Sequence, residues 1–312
     1  MSPLPPAPTP AVHRGERALC ASNGWSLAAR LLLGLAVAAA VAVPAMGSKT
    51  GPLAVMLAAM PVMLVVVACR YGWRLLGLYL VVTFTVTTLF ENLSIATGFP
   101  FGHYHYSGNA PRIGQLPVLV AFLYCSLGLV CWVVASALLD GADARLADRT
   151  DPARRINVIA LPALAAGLMA VFDLGSDSVA STIGKIWIWE NGGGVFGVPW
   201  TNYVGWWLVS YVFFQILAFI LATRTQALPI PNSREPLVHG VILYLLLGMP
   251  SLFGFLTAPR DTVTDLGGLT WSVHALHETM FTFNLFSTFL IVVLAATKLA
   301  RDDLALRGQE RK

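Results

Sequence analysis

The sequence predicts an all-α, polytopic integral membrane protein of about eight transmembrane helices, and three observations predict it. Apolar residues fill 56% of the 312 positions and charged ones only 12%, where a soluble domain carries about 25% charged residues. Apolar runs recur almost from end to end, close to the ~20 residues a helix needs to cross a hydrocarbon core of about 30 Å. The basic residues also segregate. With the N-terminus placed inside, sixteen Lys and Arg fall on inner segments and only Lys49, Arg112, Lys185 and Arg260 on outer ones, a positive-inside distribution. The net charge of +4 follows from that bias, so no nucleic-acid partner is expected.

Taken in order, residues 1–24 form a Pro/Ala-rich tail expected to be disordered. Apolar runs at 27–46, 51–69, 73–90, 116–139, 156–174, 203–222, 237–255 and 279–298 supply the spans. They make one transmembrane domain over 25–300, with 301–312 a basic cytoplasmic tail on the same side as the N-terminus. The first run exceeds the ~7–15 apolar residues of a signal peptide and is read as a retained helix; its cleavage would leave the other orientations unchanged. Cys20, Cys69, Cys125 and Cys131 form no CxxC, so neither a zinc knuckle nor a disulfide framework is indicated.

The long connections 91–115, 175–202 and 256–278 fall outside and hold Glu91, Asp177, Asp265, Glu278 and four of the six histidines, with Asp173 just below them. Chemistry is therefore expected at the outer face of the cell membrane. Two of these hairpins share a layout. The first places Glu91 at the end of a span, then Tyr104 and Tyr106, then Gly114-Gln115-Leu116-Pro117 opening the next span. The second places Asp173, then Trp187 and Trp189, then Gly197-Val198-Pro199. Acid to first aromatic is 13 residues in one and 14 in the other, and last aromatic to proline is 11 and 10. Parallel repeats of this kind put sites at the repeat interface. Gly/Pro loop ends and interfacial aromatics also produce part of such a pattern by themselves.

Asp173 and Asp177 stand four apart, so a helix continuing through Gly175 turns both carboxylates the same way. Two carboxylates side by side in a poorly solvated place do not both ionise easily, which makes the pair a candidate general acid. A solvated helix-end pair, or one that binds a loop N–H, is the alternative. Glu91 reads equally as a base that positions water or as a carboxylate bonded to backbone N–H groups of the loop. The period-2 placement of Tyr104/Tyr106 and Trp187/Trp189 predicts short extended segments with rings on one side. Such rings can hold an apolar polyene and stabilise a carbocation, although interfacial belts use the same residues. His274, His277 and Glu278 form HxxHE, a weak metal candidate that matches neither HExxH nor HxxEH. No metal or other cofactor is expected.

Glu91 to Tyr106, E-N-L-S-I-A-T-G-F-P-F-G-H-Y-H-Y, resembles the signature E-x-I-G-x-x-T-G-x-P-F-G-x-Y-x-Y of membrane carotenoid-biosynthesis proteins. Asp173-x-x-x-Asp177, Trp187-x-Trp189 and Gly197-Val198-Pro199-x-x-Asn202-Tyr203-x-Gly205-Trp206 look like the second signature of that family, which includes the carotenoid 1,2-hydratases. The match covers about residues 60–220. Ser94 stands where glycine is usual, Ser178 where proline is common, and the Asp-to-Trp spacing is one residue longer than the family pattern. The resemblance implies cofactor-free hydration of the terminal C1=C2 double bond of an acyclic carotenoid to a tertiary alcohol. It implies Asp173 and Asp177 as proton donor and Glu91 as water-positioning base. Tyr104, Tyr106, Trp187, Trp189, Asn202 and Trp206 would bind substrate. Expected partners are the polyene, membrane lipid and other enzymes of the pathway. Two other classes fit the residues: a zinc-dependent membrane hydrolase acting on lipid amides or esters through His274, His277 and an Asp, and a carotenoid- or lipid-binding protein that turns nothing over.

Overall fold

The computed structural model describes residues 23–45, 51–224 and 234–310. Among these the chain forms ten helices: α1 (Asn23–Ala45), α2 (Gly51–Tyr71), α3 (Trp73–Thr97), α4 (Val118–Leu138), α5 (Ala142–Ala147), α6 (Arg154–Leu174), α7 (Trp200–Thr223), α8 (Glu235–Thr257), α9 (Val273–Phe286) and α10 (Thr288–Glu310). A π-helical turn, Val179–Ile183, follows α6. Six short strands lie in the three long connections: β1 (Tyr104–Tyr106), β2 (Arg112–Ile113), β3 (Leu116–Pro117), β4 (Trp187–Trp189), β5 (Thr262–Thr264) and β6 (Thr270–Ser272).

The fold is thus all-α and polytopic. Among the described residues, six segments are long and apolar enough to cross a membrane: 73–97, 118–138, 154–183, 200–223, 235–257 and 273–302. Two shorter apolar segments, Leu27–Ala38 and Met60–Tyr71, lie within α1 and α2. The N-terminal tail read from the sequence falls, up to residue 22, outside the described residues. At the other end α10 runs on to Glu310, through most of the segment read as a tail.

Two boundaries differ from the hydropathy runs in ways that matter. Helix α3 does not stop at Phe90; residues 92–97 contain neither Gly nor Pro, so the ladder continues to Thr97. It closes on Gly98, whose left-handed backbone (φ 82°) lets its N–H donate to the Ser94 carbonyl at 2.7 Å. Glu91 therefore sits inside the helix and not at its end. The last apolar run is broken in two, because Ser287 leaves helical geometry between α9 and α10.

Helix α4 is the centre of the bundle. Every residue from Tyr124 to Ala137 is buried, and α4 packs against α2, α3, α6, α8 and α10. Small residues allow that closeness: a Cβ on Gly240 of α8 would come within 2.6 Å of the Val133 side chain. Large apolar side chains point the other way, with Leu31, Leu35, Val81, Leu89, Phe219 and Leu290 exposed on the outside, as helices packed in lipid require.

The end of the bundle where α2 meets α5 is locked by a buried ion pair. Arg70 Nε and Nη2 donate to Asp143 at 2.5 and 2.8 Å. The hydroxyls of Tyr71 and Ser136 donate to the same carboxylate, and Trp132 Nε1 donates to Tyr71 Oη at 3.1 Å. Burial opposes a charge here, but the Arg70 guanidinium and the hydroxyl donors hold the Asp143 carboxyl below the usual carboxylate range. A small apolar cavity bounded by Tyr71, Tyr79, Leu129, Trp132 and Leu217 lies above this lock.

At the opposite end the two hairpins meet. β1 and β4 pair antiparallel, with Tyr104 opposite Trp189, His105 opposite Ile188 and Tyr106 opposite Trp187. Under the repeat read from the sequence, Tyr104 corresponds to Trp187 and Tyr106 to Trp189. This register is the one a local two-fold axis through the His105/Ile188 pair produces. Tyr124 and Trp206, each seven residues past its hairpin's proline, obey the same axis and stack with centroids 4.4 Å apart at 15°.

Candidate active site

The first half of the site is built on one face of α3. Its buried residues Tyr79, Thr83, Thr87, Glu91 and Ser94 recur every three or four positions, which is the period of a single helix face. Beyond Gly98 the chain turns back on itself through Ser94. The Ser94 hydroxyl donates to Gly102 O at 3.0 Å and accepts from Phe101 N at 3.1 Å. This fold-back carries β1 over the end of α3, so that the alternate residues Tyr104 and Tyr106 point down at Glu91 while His105 points out.

Glu91 is 3% exposed and receives three phenols. Tyr104 and Tyr106 donate to Oε2, the latter at 3.0 Å. Tyr124 of α4 donates to Oε1 at 2.7 Å. Burial, then the Glu91 charge, pushes the Tyr104 and Tyr106 phenols above their ordinary range, so both remain donors. The backbone N–H partners considered for Glu91 are replaced by side-chain hydroxyls. A carboxylate has about four lone-pair sites, so three donors leave little capacity for a water.

The second half is built where α6 breaks. The helix ends at Leu174, Gly175 and Ser176 form a turn, and helical structure resumes at Asp177. The helix therefore does not continue unbroken through Gly175, yet the carboxylates converge. Asp173 and Asp177 are 2% and 1% exposed, and Asn202 Nδ2 donates to Oδ2 of each at 2.6 Å. Pro199, extended at the start of α7, sets Asn202 in the first turn of that helix facing the pair. Trp187 Nε1 donates to the other Asp177 oxygen at 2.8 Å.

The β1–β4 ladder joins the halves. Tyr106, bonded to Glu91, lies 6.2 Å from the ring of Trp187, bonded to Asp177. Tyr104 packs 4.9 Å from Trp189. Thus Glu91, Asp173, Asp177, Tyr104, Tyr106, Trp187, Trp189, Asn202 and Trp206, all singled out from the sequence, gather at one end of the bundle.

His274, His277 and Glu278 do not join them. His274 packs against Phe255 and His277 lies over Gly254 of α8. Among the described residues no group of three His, Cys, Asp or Glu is placed to hold a metal ion, so the HxxHE spacing makes no ligand cluster. His105 instead lies 3.5 Å from Glu190 at the surface.

Two site residues escaped the sequence reading. Tyr124 is hidden in the apolar run of α4, although its spacing from Pro117 matches that of Trp206 from Pro199. Asn284 of α9 has no local signal at all. The break in α6 frees the Gly175 carbonyl, because Val179 and Ala180 both donate to Ser176 instead. Asn284 Nδ2 takes that carbonyl at 3.0 Å, while Thr288 donates to Asn284 Oδ1 at 2.8 Å. Asn284 thereby holds the turn lying between the two aspartates.

A family model described as carotenoid biosynthesis protein matches residues 28–261. Comparison with curated proteins and with solved structures finds no match. The matched segment contains both halves of the site and ends before His274, His277, Glu278 and Asn284.

Proposed function

Since this chain belongs to the carotenoid biosynthesis protein family, we propose that it is a cofactor-independent carotenoid 1,2-hydratase that hydrates the terminal C1=C2 bond of an acyclic carotenoid. The observation supporting this most strongly is the buried Asp173–Asn202–Asp177 bridge beneath an aromatic ladder. Hydration of an isopropylidene end needs a carboxylic acid, an apolar cation-tolerant wall and limited water. The aspartate pair supplies the proton to C2, the less substituted carbon, leaving a tertiary cation at C1. The conjugate base is then held by hydrogen bonds from Asn202 and Trp187, already aimed at it. Faces of Tyr104, Tyr106, Trp187 and Trp189 attract the cation. Glu91 pins the tyrosine hydroxyls and adds a counter-charge nearby. Water captures C1 and loses a proton, giving a tertiary alcohol. In the membrane the site lies at the outer face, where a polyene end in the lipid meets water.

Expression in a host that accumulates an acyclic carotene tests this. A pigment heavier by one water and carrying a tertiary hydroxyl is expected. Unchanged pigment that copurifies with the protein supports a binding protein instead, and a lipid hydrolysis product that disappears with chelator supports the hydrolase.

A further inference from the structure

Three phenols crowd Glu91, so the reacting water needs another seat, and two buried donors beside the aspartate pair have none of their own. The Trp189 ring is 5% exposed, and its indole N–H is turned toward Asp177 but stops short of a full hydrogen bond among the described residues. The Tyr203 hydroxyl is turned toward Ser178 within the field of Asp177 and Asp173, and it is likewise buried short of a full hydrogen bond among the described residues. Leaving such groups unsatisfied costs about 1–3 kcal/mol each, so structures keep them where a ligand oxygen completes them. Trp187 satisfies its own N–H on Asp177 at 2.8 Å, which makes the two tryptophans of β4 unequal. Tyr203 follows Asn202 directly in α7, so one helix end presents both the amide that bridges the acids and the orphan hydroxyl.

Resting on the hydratase reading, we infer that Trp189 Nε1, Tyr203 Oη and the Asp177 carboxyl form the binding site of the nucleophilic water. The water oxygen accepts from the indole N–H and exchanges a hydrogen bond with the phenol. When the acid pair has given its proton to C2, a water lone pair forms the C1–O bond. The proton released from that oxygen passes to the carboxylate and restores the acid. One water is added, and the pair returns to its starting protonation. Glu91 takes no part in that transfer.

The test separates protonation from water capture. Membranes carrying the full chain receive an acyclic carotene in D2O, and the alcohol is resolved from isomers formed when the cation sheds a methyl proton instead. Tyr203→Phe removes only the hydroxyl, and Trp189→Phe removes the N–H while keeping an aromatic ring. Each is expected to lower the ratio of alcohol to deuterated isomer about tenfold, the loss of one hydrogen bond in the capture step. Asp177→Asn is expected to lower both products together, to less than about a hundredth of wild type. An unchanged ratio in either variant that accumulates, at whatever overall rate, overturns the water site. Wild-type membranes forming neither alcohol nor isomer overturn the hydratase reading instead.

Discussion

Asn202 presents a single NH2 group to two buried carboxylates, at 2.6 Å from each, and among the described residues no other side chain duplicates that link. Asn202→Leu is nearly isosteric but removes both donors. Conversion of acyclic carotene is expected to fall about 100-fold or more, the usual loss when a preorganised donor to developing charge is deleted. Quantified pigment in membranes, normalised to protein amount, checks it. Asn202 itself was readable from its motif, as were both aspartates and the four ring residues. What was not readable was their bonding. Glu91 has the same chemistry whether it faces water or phenols, and only the fold-back through Ser94 decides that Tyr104 and Tyr106 occupy it. Tyr124 was recoverable from its spacing after Pro117, but one tyrosine in a run of apolar residues reads as core.

Among the elements, the broken helices carry the site. The turn at Gly175–Ser176 lets Asp173 and Asp177 both reach Asn202, and Asn284 of α9 completes the carbonyl this turn frees. Asn284→Ala leaves that carbonyl unpaired and loosens the turn. We expect kcat to drop about tenfold, the worth of one buried hydrogen bond, with KM for the polyene little changed. A parallel rise in KM without loss of kcat would instead make Asn284 a substrate contact. No periodicity announces this residue, because its partner lies 109 positions away. Helix α5 shows the same limit: its Asp143 looks like a loop charge in sequence, yet it is fully buried against Arg70. Asp143→Asn strands a buried guanidinium, which costs about 3–5 kcal/mol and should lower the melting temperature in detergent distinctly. Because folding depresses the Asp143 pKa, the pair's contribution is complete above the unfolded value of about 3.9. It is lost as pH falls below that value through the folded one. An Asp143→Asn protein that melts like wild type at neutral pH would show the lock to be redundant.

Across the chain as a unit, two hairpins of similar layout close on each other, and their meeting line is the candidate site. The membrane class was legible because hydropathy and basic segregation act over the entire chain, where no local accident blurs them. The repeat was legible as matched spacings; the antiparallel pairing of β1 with β4 was not, since the residues at its centre, His105 and Ile188, lie some 83 positions apart. The same charge bias predicts which way the bundle sits. Single cysteines placed in 175–202, in a background lacking the native thiols, should react with an impermeant maleimide in intact cells, whereas cysteines in 140–153 should react only after lysis. The reverse labelling would put the site on the cytoplasmic face.

In the proposed reaction the aspartate pair under the aromatic ladder protonates the polyene. Membranes containing wild type, Asp173→Asn, Asp177→Asn and the double variant, each at matched protein levels, can be supplied with an acyclic carotene and their pigments resolved by mass. Wild type should form the tertiary alcohol, the single variants less than about a hundredth as much, and the double variant none. Both single variants converting the carotene at the wild-type rate would contradict it.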